Sequence, residues 1–459
     1  MTNFELAASI IFFILLTIFI SSKKKNLKTK RIFSNFYFSM YRAKWGISLM
    51  DSLSDKFRKF WMVLGYIGII IGFLGMILIC FTLIDGIVKT FTKPEAAPVV
   101  GLVLPIPVEV PGIFGIPFSY WIISIFIIAL VHEFSHGLIA RTHKMKIKSS
   151  GFAFVGVNLR LISFVIIVFS AIVKFKKYFN DATPFYSFDF SSFSADFWLV
   201  SGIVLLVLSY IKKYWVPIIP VAFVEPDEKE TAKRPAKEQL SLFAAGPLAN
   251  IAFGFLFLGI LIFAIAPLAN SVFEPAGVKI VKYVESNETF PAERAGINIG
   301  EVIIEADGQA TPFRENLSSA LKAKKPGDVI TIRTNNSTYK VKLANNPENE
   351  SSPYLGAYLD QEIKVRENIK TKYGKNFPNL FIWFIGLIEM LITLNFGIGL
   401  FNLVPLGPLD GGRMFSLAMI NRFGKDKGQK IIQKTNMFLG FVLLIYLFII
   451  LKNILVSFI

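Results

Sequence analysis

Long apolar runs bordered by charge or by Pro/Gly-rich stretches govern what this chain can fold into. They read near 6–20, 61–84, 118–141, 239–267, 377–403 and 434–452, and several reach the roughly 20 residues that cross about 30 Å of hydrocarbon. Two further apolar segments, 161–179 and 197–215, are aromatic-rich and flanked by Lys174, Lys176, Lys177, Lys212 and Lys213. These two read either as spans or as a helical hairpin or half-inserted pair. The expected fold class is a polytopic α-helical membrane protein of about six to eight spans.

With 53% hydrophobic residues and 47 phenylalanines, the chain is too apolar for an ordinary soluble enzyme. Its net charge of +17 is spread over loops between the apolar runs, so nucleic acid is not the expected partner; the lipid bilayer is. The densest basic stretch, from Lys23 through Lys30 and Arg31 to Lys59, falls between the first two runs. The positive-inside rule then puts that loop in the cytoplasm and the N-terminus outside, in a multi-pass cell-membrane protein. The opening Met1-Thr2-Asn3-Phe4-Glu5 lacks a basic n-region, so the first run reads as a retained anchor. Cys80 is the single cysteine, which excludes a disulfide framework and leaves His and carboxylates as metal ligands.

Between 268 and 376 the composition turns soluble, with turns such as Asn335-Asn336 and Pro326-Gly327-Asp328. Strands are expected at Val278–Val281, Val302–Ile304, Val329–Ile332 and Tyr339–Leu343, with an amphipathic helix near 313–324. Counting spans from the basic loop puts this insert outside. The expected organisation is 1–117, N-terminal spans and basic loop; 118–267, the first part of a membrane core with an insertion near 160–215; 268–362, the β-rich insert; and 363–459, the second part of the core.

Within the run 118–141 stands His132-Glu133-Phe134-Ser135-His136. Residues four apart lie only about 40° apart around a helix, so the two imidazoles face one side and can share an ion, with Glu133 close to a water on that ion. Zn2+ suits this set, one ion per chain, because it is redox-inert and acidifies bound water. Ionisable groups are expensive inside a membrane and signal function, although a polar packing or proton-relay cluster is the alternative. Catalytic zinc takes three protein ligands. Among His143, Glu225, Asp227 and Asp410, the first three read as solvated, whereas Asp410 ends a Pro/Gly-broken run, Asn402 to Gly412, where irregular backbone lines a cavity. Asp410 is therefore the expected third ligand; its alternative role is capping the next helix.

Three separated motifs resemble the site-2 protease family of intramembrane zinc metalloproteases. They are His132-Glu133-Phe134-Ser135-His136; Asn402-x-x-Pro405-x-x-x-Leu409-Asp410-Gly411, similar to the family's N-x-x-P-x-x-x-L-D-G; and Ala245-Gly246-Pro247-Leu248-Ala249-Asn250, similar to A-G-P-x-x-N. The resemblance implies three central helices around the metal, with Asp410 the third ligand and Asn250 and Asn402 facing substrate or steadying the oxyanion. Helix packing or capping is the alternative for either asparagine. Ser150–Val157 and Pro220–Pro226 look like the family's re-entrant β segment and the border of its next helix, separated here by about sixty residues. Pro291-Ala292-Glu293-Arg294-Ala295-Gly296-Ile297, followed by Gly300-Glu301-Val302, resembles the core of a protease-linked PDZ domain, with Glu301 in place of the usual Asp. That makes the insert a PDZ-like domain able to bind a peptide as an added strand.

The resemblance thus implies an intramembrane zinc metalloendopeptidase acting on membrane proteins with a transmembrane helix and releasing regulatory fragments. Glu133 takes a proton from water, an oxyanion forms near Asn250 or Asn402, and Glu133 returns the proton to the leaving amine. Two rival functions use the same residues: a zinc transporter or sensor, which has no need of Glu133 as a base, and an inactive scaffold that binds through the PDZ-like domain.

Overall fold

The computed structural model describes residues 3–23, 26–44, 46–92, 98–105, 110–179, 195–211, 215–284, 289–347, 349–374 and 376–458. Lys212 and Lys213, at the end of the second uncertain segment, lie outside them. Two compact units are present, Met1–Leu258 with Gly386–Ile459, and Gly259–Ile385.

The first unit is built from α1 (Asn3–Lys23), α2 (Arg58–Thr92), α3 (Phe118–Thr142), α4 (Leu159–Phe179), α5 (Ala195–Ile211), α6 (Ala236–Ile260), α7 (Phe377–Phe401, entering this unit at Gly386), α8 (Asp410–Phe423) and α9 (Lys425–Phe458). Among the described residues five helical stretches are long and apolar enough to cross a membrane: α2, α3, α6 with its continuation to Val272, α7 and α9. The first expected run corresponds to a shorter apolar stretch, Ile11–Ile20, within α1. The two uncertain segments are helical as α4 and α5, with described apolar stretches Leu159–Val168 and Leu199–Tyr210, and they pack against each other.

Close helix packing follows from a stripe of buried glycines on α2. A Cβ built at Gly68 would meet Leu248 of α6 at 3.0 Å, and one at Gly72 would meet Met414 of α8 at 2.7 Å. In a bilayer, where hydrophobicity does not drive helix association, such small residues let backbones approach and gain dispersion contact. Tyr446 of α9 closes the other side by donating its hydroxyl to the Leu83 carbonyl at 2.8 Å.

A four-stranded antiparallel sheet completes this unit, in the order β1 (Leu27–Phe33), β2 (Phe36–Ala43), β3 (Ile147–Asn158) and β4 (Trp215–Pro226). Part of the basic stretch read as a loop is thus a hairpin whose second strand pairs with β3, Tyr41 opposite Phe152. The two re-entrant β segments are neighbours in this sheet, Ser150 opposite Val224, and the residues between Asn158 and Trp215 are an insertion at the tip of their hairpin. Strand β4 is an edge, where Pro217, Pro220 and Pro226 cost no ladder bond. Only Val221–Glu225 is free of proline near its end.

The second unit holds a sheet in the order β8-β7-β6-β5-β9, formed by β5 (Phe273–Tyr283), β6 (Val302–Ala306), β7 (Val329–Thr334), β8 (Thr338–Lys342) and β9 (Ala357–Val365). The expected strands fall on β5 to β8 and the expected helix on Arg314–Lys322; β9, polar and alternating weakly, was not anticipated. Period-two residues Val278 and Ile280, and Ile330 and Ile332, are fully buried beneath Leu317 of that helix. Each such side chain contributes on the order of 1.5–3 kcal/mol.

Candidate metal centre

His132 and His136 lie one turn apart on α3, and their Nε2 atoms approach to 3.1 Å. Asp410 Oδ2 stands 3.0 Å from His132 Nε2 and 3.2 Å from His136 Nε2. Among the described residues these three form the one group of His, Cys, Asp or Glu ligand atoms that converges within 4.8 Å. Donor atoms about 2.0–2.1 Å from a tetrahedral zinc sit about 3.3 Å from one another, so the spacing fits that ion.

Local sequence explains how each donor arrives. Asp410 opens α8, but the N-cap position belongs to Leu409, and the Asp410 carboxylate turns towards the histidines. The capping alternative is therefore not what this residue does. The Gly411 amide donates to the Asn402 carbonyl at 2.8 Å, folding the Pro-rich run back on itself. A Cβ at Gly411 would collide with the Leu403 carbonyl, which explains the glycine after the ligand. Gly246 of α6 serves the other side, since a Cβ there would come within 2.5 Å of both His132 Nε2 and His136 Nε2. The A-G-P motif carried that signal.

The rings are oriented from behind. His136 Nδ1 lies 2.7 Å from the Leu242 carbonyl of α6, and only a protonated nitrogen can bond a carbonyl, so Nε2 presents its lone pair to the convergence point. His132 Nδ1 lies 3.2 Å from the Asn250 amide nitrogen, while Asn250 Oδ1 is buried without a partner. Turning that amide by 180° makes Oδ1 the acceptor of Nδ1–H and leaves His132 Nε2 free for metal. Asn250 is fully buried and does not line the cavity. The Asn250 amide, expected to face substrate, lies against His132 Nδ1 on the far side of the ring from the cavity.

Asn402 does line the cavity, a space of about 650 Å³ shared with Glu133, Arg42, Phe223, Val224 and Arg413. Glu133 Oε2 accepts the Val224 amide of β4 at 3.1 Å, a contact no sequence motif announces. Of the other candidates, His143 is not solvated as expected, whereas Glu225 and Asp227 stay partly exposed. His143 is buried against Ser241, Glu225 accepts Ser149 Oγ at 2.7 Å and pairs with Arg42 at 3.3 Å, and Asp227 caps the turn Glu228–Thr231.

The model for peptidase family M50 matches residues 120–447. This chain belongs to peptidase family M50, the site-2 protease family, and is a membrane zinc metalloprotease. It is 26% identical over 384 residues to an uncharacterized protein of Methanocaldococcus jannaschii, covering 82% of this chain and 75% of that one. It is also 22% identical over 288 residues to the zinc metalloprotease RasP of Shouchella clausii, covering 51% and 65%. A crystal structure of the PDZ domain of an SdrC-like protein from Listeria monocytogenes aligns at 24% identity over 18% of this chain and 87% of that chain, with a TM-score of 0.16.

Proposed function

We propose that this enzyme hydrolyses peptide bonds in or beside transmembrane segments of membrane proteins and releases regulatory fragments from them. His132, His136 and Asp410 would hold the zinc, and Glu133 would serve as the acid–base. The observation that carries this reading is the convergence of three donor atoms at 3.0–3.2 Å in a helical membrane core. A zinc bound there supplies Lewis acidity and brings the pKa of a coordinated water to about 7. Glu133, adjacent to His132 in sequence and facing the same cavity, is the carboxylate that would take a proton from the attacking water and return it to the leaving amine. Asn402, on the cavity wall, donates its amide to the oxyanion, an interaction worth roughly 3 kcal/mol. Asn250 and the Leu242 carbonyl hold the imidazoles in the ligating tautomer.

A helical substrate hides its carbonyls in i to i−4 bonds and has to unwind before it is cut. The proline-free edge of β4 borders the cavity at Phe223–Glu225 and offers an unwound strand its outward backbone groups, apart from the Val224 amide that Glu133 accepts. His132 lies ten residues before the end of α3, about 15 Å, at the end followed by β3 and the basic hairpin. Span counting assigns that end to the cytoplasm, where the fragment is released, and residues 268–362 to the outer side as a PDZ-like domain that screens peptides by strand addition.

The test is cleavage of single-span substrates with a helix-destabilised segment, by purified enzyme in detergent. Glu133→Gln should keep zinc and lose about 10²- to 10⁴-fold in rate. Wild type that binds zinc but cuts no substrate of a broad panel would favour a transporter or scaffold; products mapping to the outer half of the substrate would reverse the topology.

A further inference from the structure

All three histidines of the chain hydrogen-bond the same partner helix, α6. His132 meets Asn250, His136 meets the Leu242 carbonyl, and His143, which follows α3, places Nε2 2.8 Å from Ser241 Oγ. The first two contacts orient metal ligands; the third lies one residue from Leu242, near the start of α6. We propose that His143 is a positioning residue of the metal site: through Ser241 it pins the register of α6 against α3, so that the Leu242 carbonyl meets His136 Nδ1.

The hydrogen-bond directions fit this role. Ser241 Oγ donates to the Glu238 carbonyl at 2.9 Å, so its lone pair receives Nε2–H of His143. His143 is 4% exposed, and its burial, set against Glu238 and joined by Arg58 and Arg234, holds its pKa below the ordinary value. It is therefore neutral near pH 7, with one proton to give. Register matters because a slip of one residue shifts a helix by 1.5 Å and rotates it by about 100°. That slip takes the Leu242 carbonyl away from His136 and turns Gly246 from the rings, where no side chain fits.

The inference rests on the zinc site proposed above, and its test separates the two. Zinc affinity is measured by chelator competition on purified protein, with melting of the zinc-free protein alongside, for wild type, His143→Leu, His143→Gln, Ser241→Ala and His143→Leu/Ser241→Ala. Tyr446→Phe, which cuts a buried inter-helix bond on α9, is the control. Loss of a ligand's hydrogen-bonded support costs about 10- to 100-fold in metal affinity, and one step further out the expected loss is about three- to tenfold. His143→Leu and Ser241→Ala should each show that loss, the double variant no more than either, and His143→Gln, which retains a donor at the Nε2 position, should recover affinity. Tyr446→Phe should lower the melting temperature with zinc affinity unchanged. If His143→Leu or, should that variant not fold, Ser241→Ala binds zinc as wild type does, the proposal is wrong and the contact is only structural. A Gln variant no better than Leu also overturns it, whereas a wild type that binds no zinc overturns the metal site itself.

Discussion

Two buried carboxylates, one in each unit, sit in opposite kinds of surroundings. Glu301 in the β-rich second unit is 3% exposed and Asp410 in the membrane core 8%. Glu301 is surrounded by donors: Thr334 Oγ1 at 2.6 Å, Asn298 Nδ2 at 2.9 Å and the Tyr339 hydroxyl at 3.0 Å. Burial alone would raise its pKa, but these bonds outweigh it and hold the carboxyl below the ordinary range. Asp410 instead faces two Nε2 atoms: the His136 ring gives its proton to the Leu242 carbonyl on the other side, and the His132 ring gives its own to Asn250 once that amide is turned to present Oδ1. Three acceptors pointing at one place repel unless a cation joins them. A buried acid ringed by donors is architecture, and one ringed by acceptors is a metal site.

That contrast is easiest to break at Asp410. Asp410→Ala should bring zinc below stoichiometric binding and lower cleavage by about 10³-fold or more, because the several kcal/mol supplied by the metal is lost. Full zinc content in this variant would place the third ligand elsewhere. Gly246→Ala is next: its Cβ, 2.5 Å from both Nε2 atoms, should weaken zinc by about tenfold or more, and wild-type affinity would mean that α6 yields freely at this point. The smallest effect belongs to Glu301→Gln, which should cost on the order of 1–3 kcal/mol in the β-rich unit and leave zinc affinity unchanged. Because the folded pKa of Glu301 is depressed, its contribution is complete above the ordinary value of 4.5 and disappears as pH falls through the folded value. Melting of wild type should therefore decline below about pH 4.5 more steeply than that of Glu301→Gln; parallel curves would show that the carboxylate is not held as an anion.

Much of the metal site is visible in the sequence because its signals are local. Helical period alone puts His132 and His136 on one face, and a Pro/Gly-broken run at the end of an apolar span is where Asp410 can reach them. Period-two runs likewise mark four strands of the β-rich unit. What escaped depends on pairings distant in sequence. The β1–β2 hairpin was hidden in a stretch whose charge suggested only a loop, and the β3–β4 pair is separated by the residues of α4 and α5. Without that pair, nothing ties Glu133 to the Val224 amide. The A-G-P-x-x-N motif names Asn250 but not the direction of its amide, which lies against His132. The basic neighbours of His143 in sequence suggest a solvated side chain and conceal the packing of α6 against it.

Zinc K-edge X-ray absorption on the purified, zinc-loaded protein tests the central claim most directly. One zinc per chain with two imidazoles and oxygen donors at about 2.0–2.1 Å, and no sulfur, is the predicted result. Fewer than two imidazoles, or a sulfur neighbour, would contradict a site made of His132, His136 and Asp410.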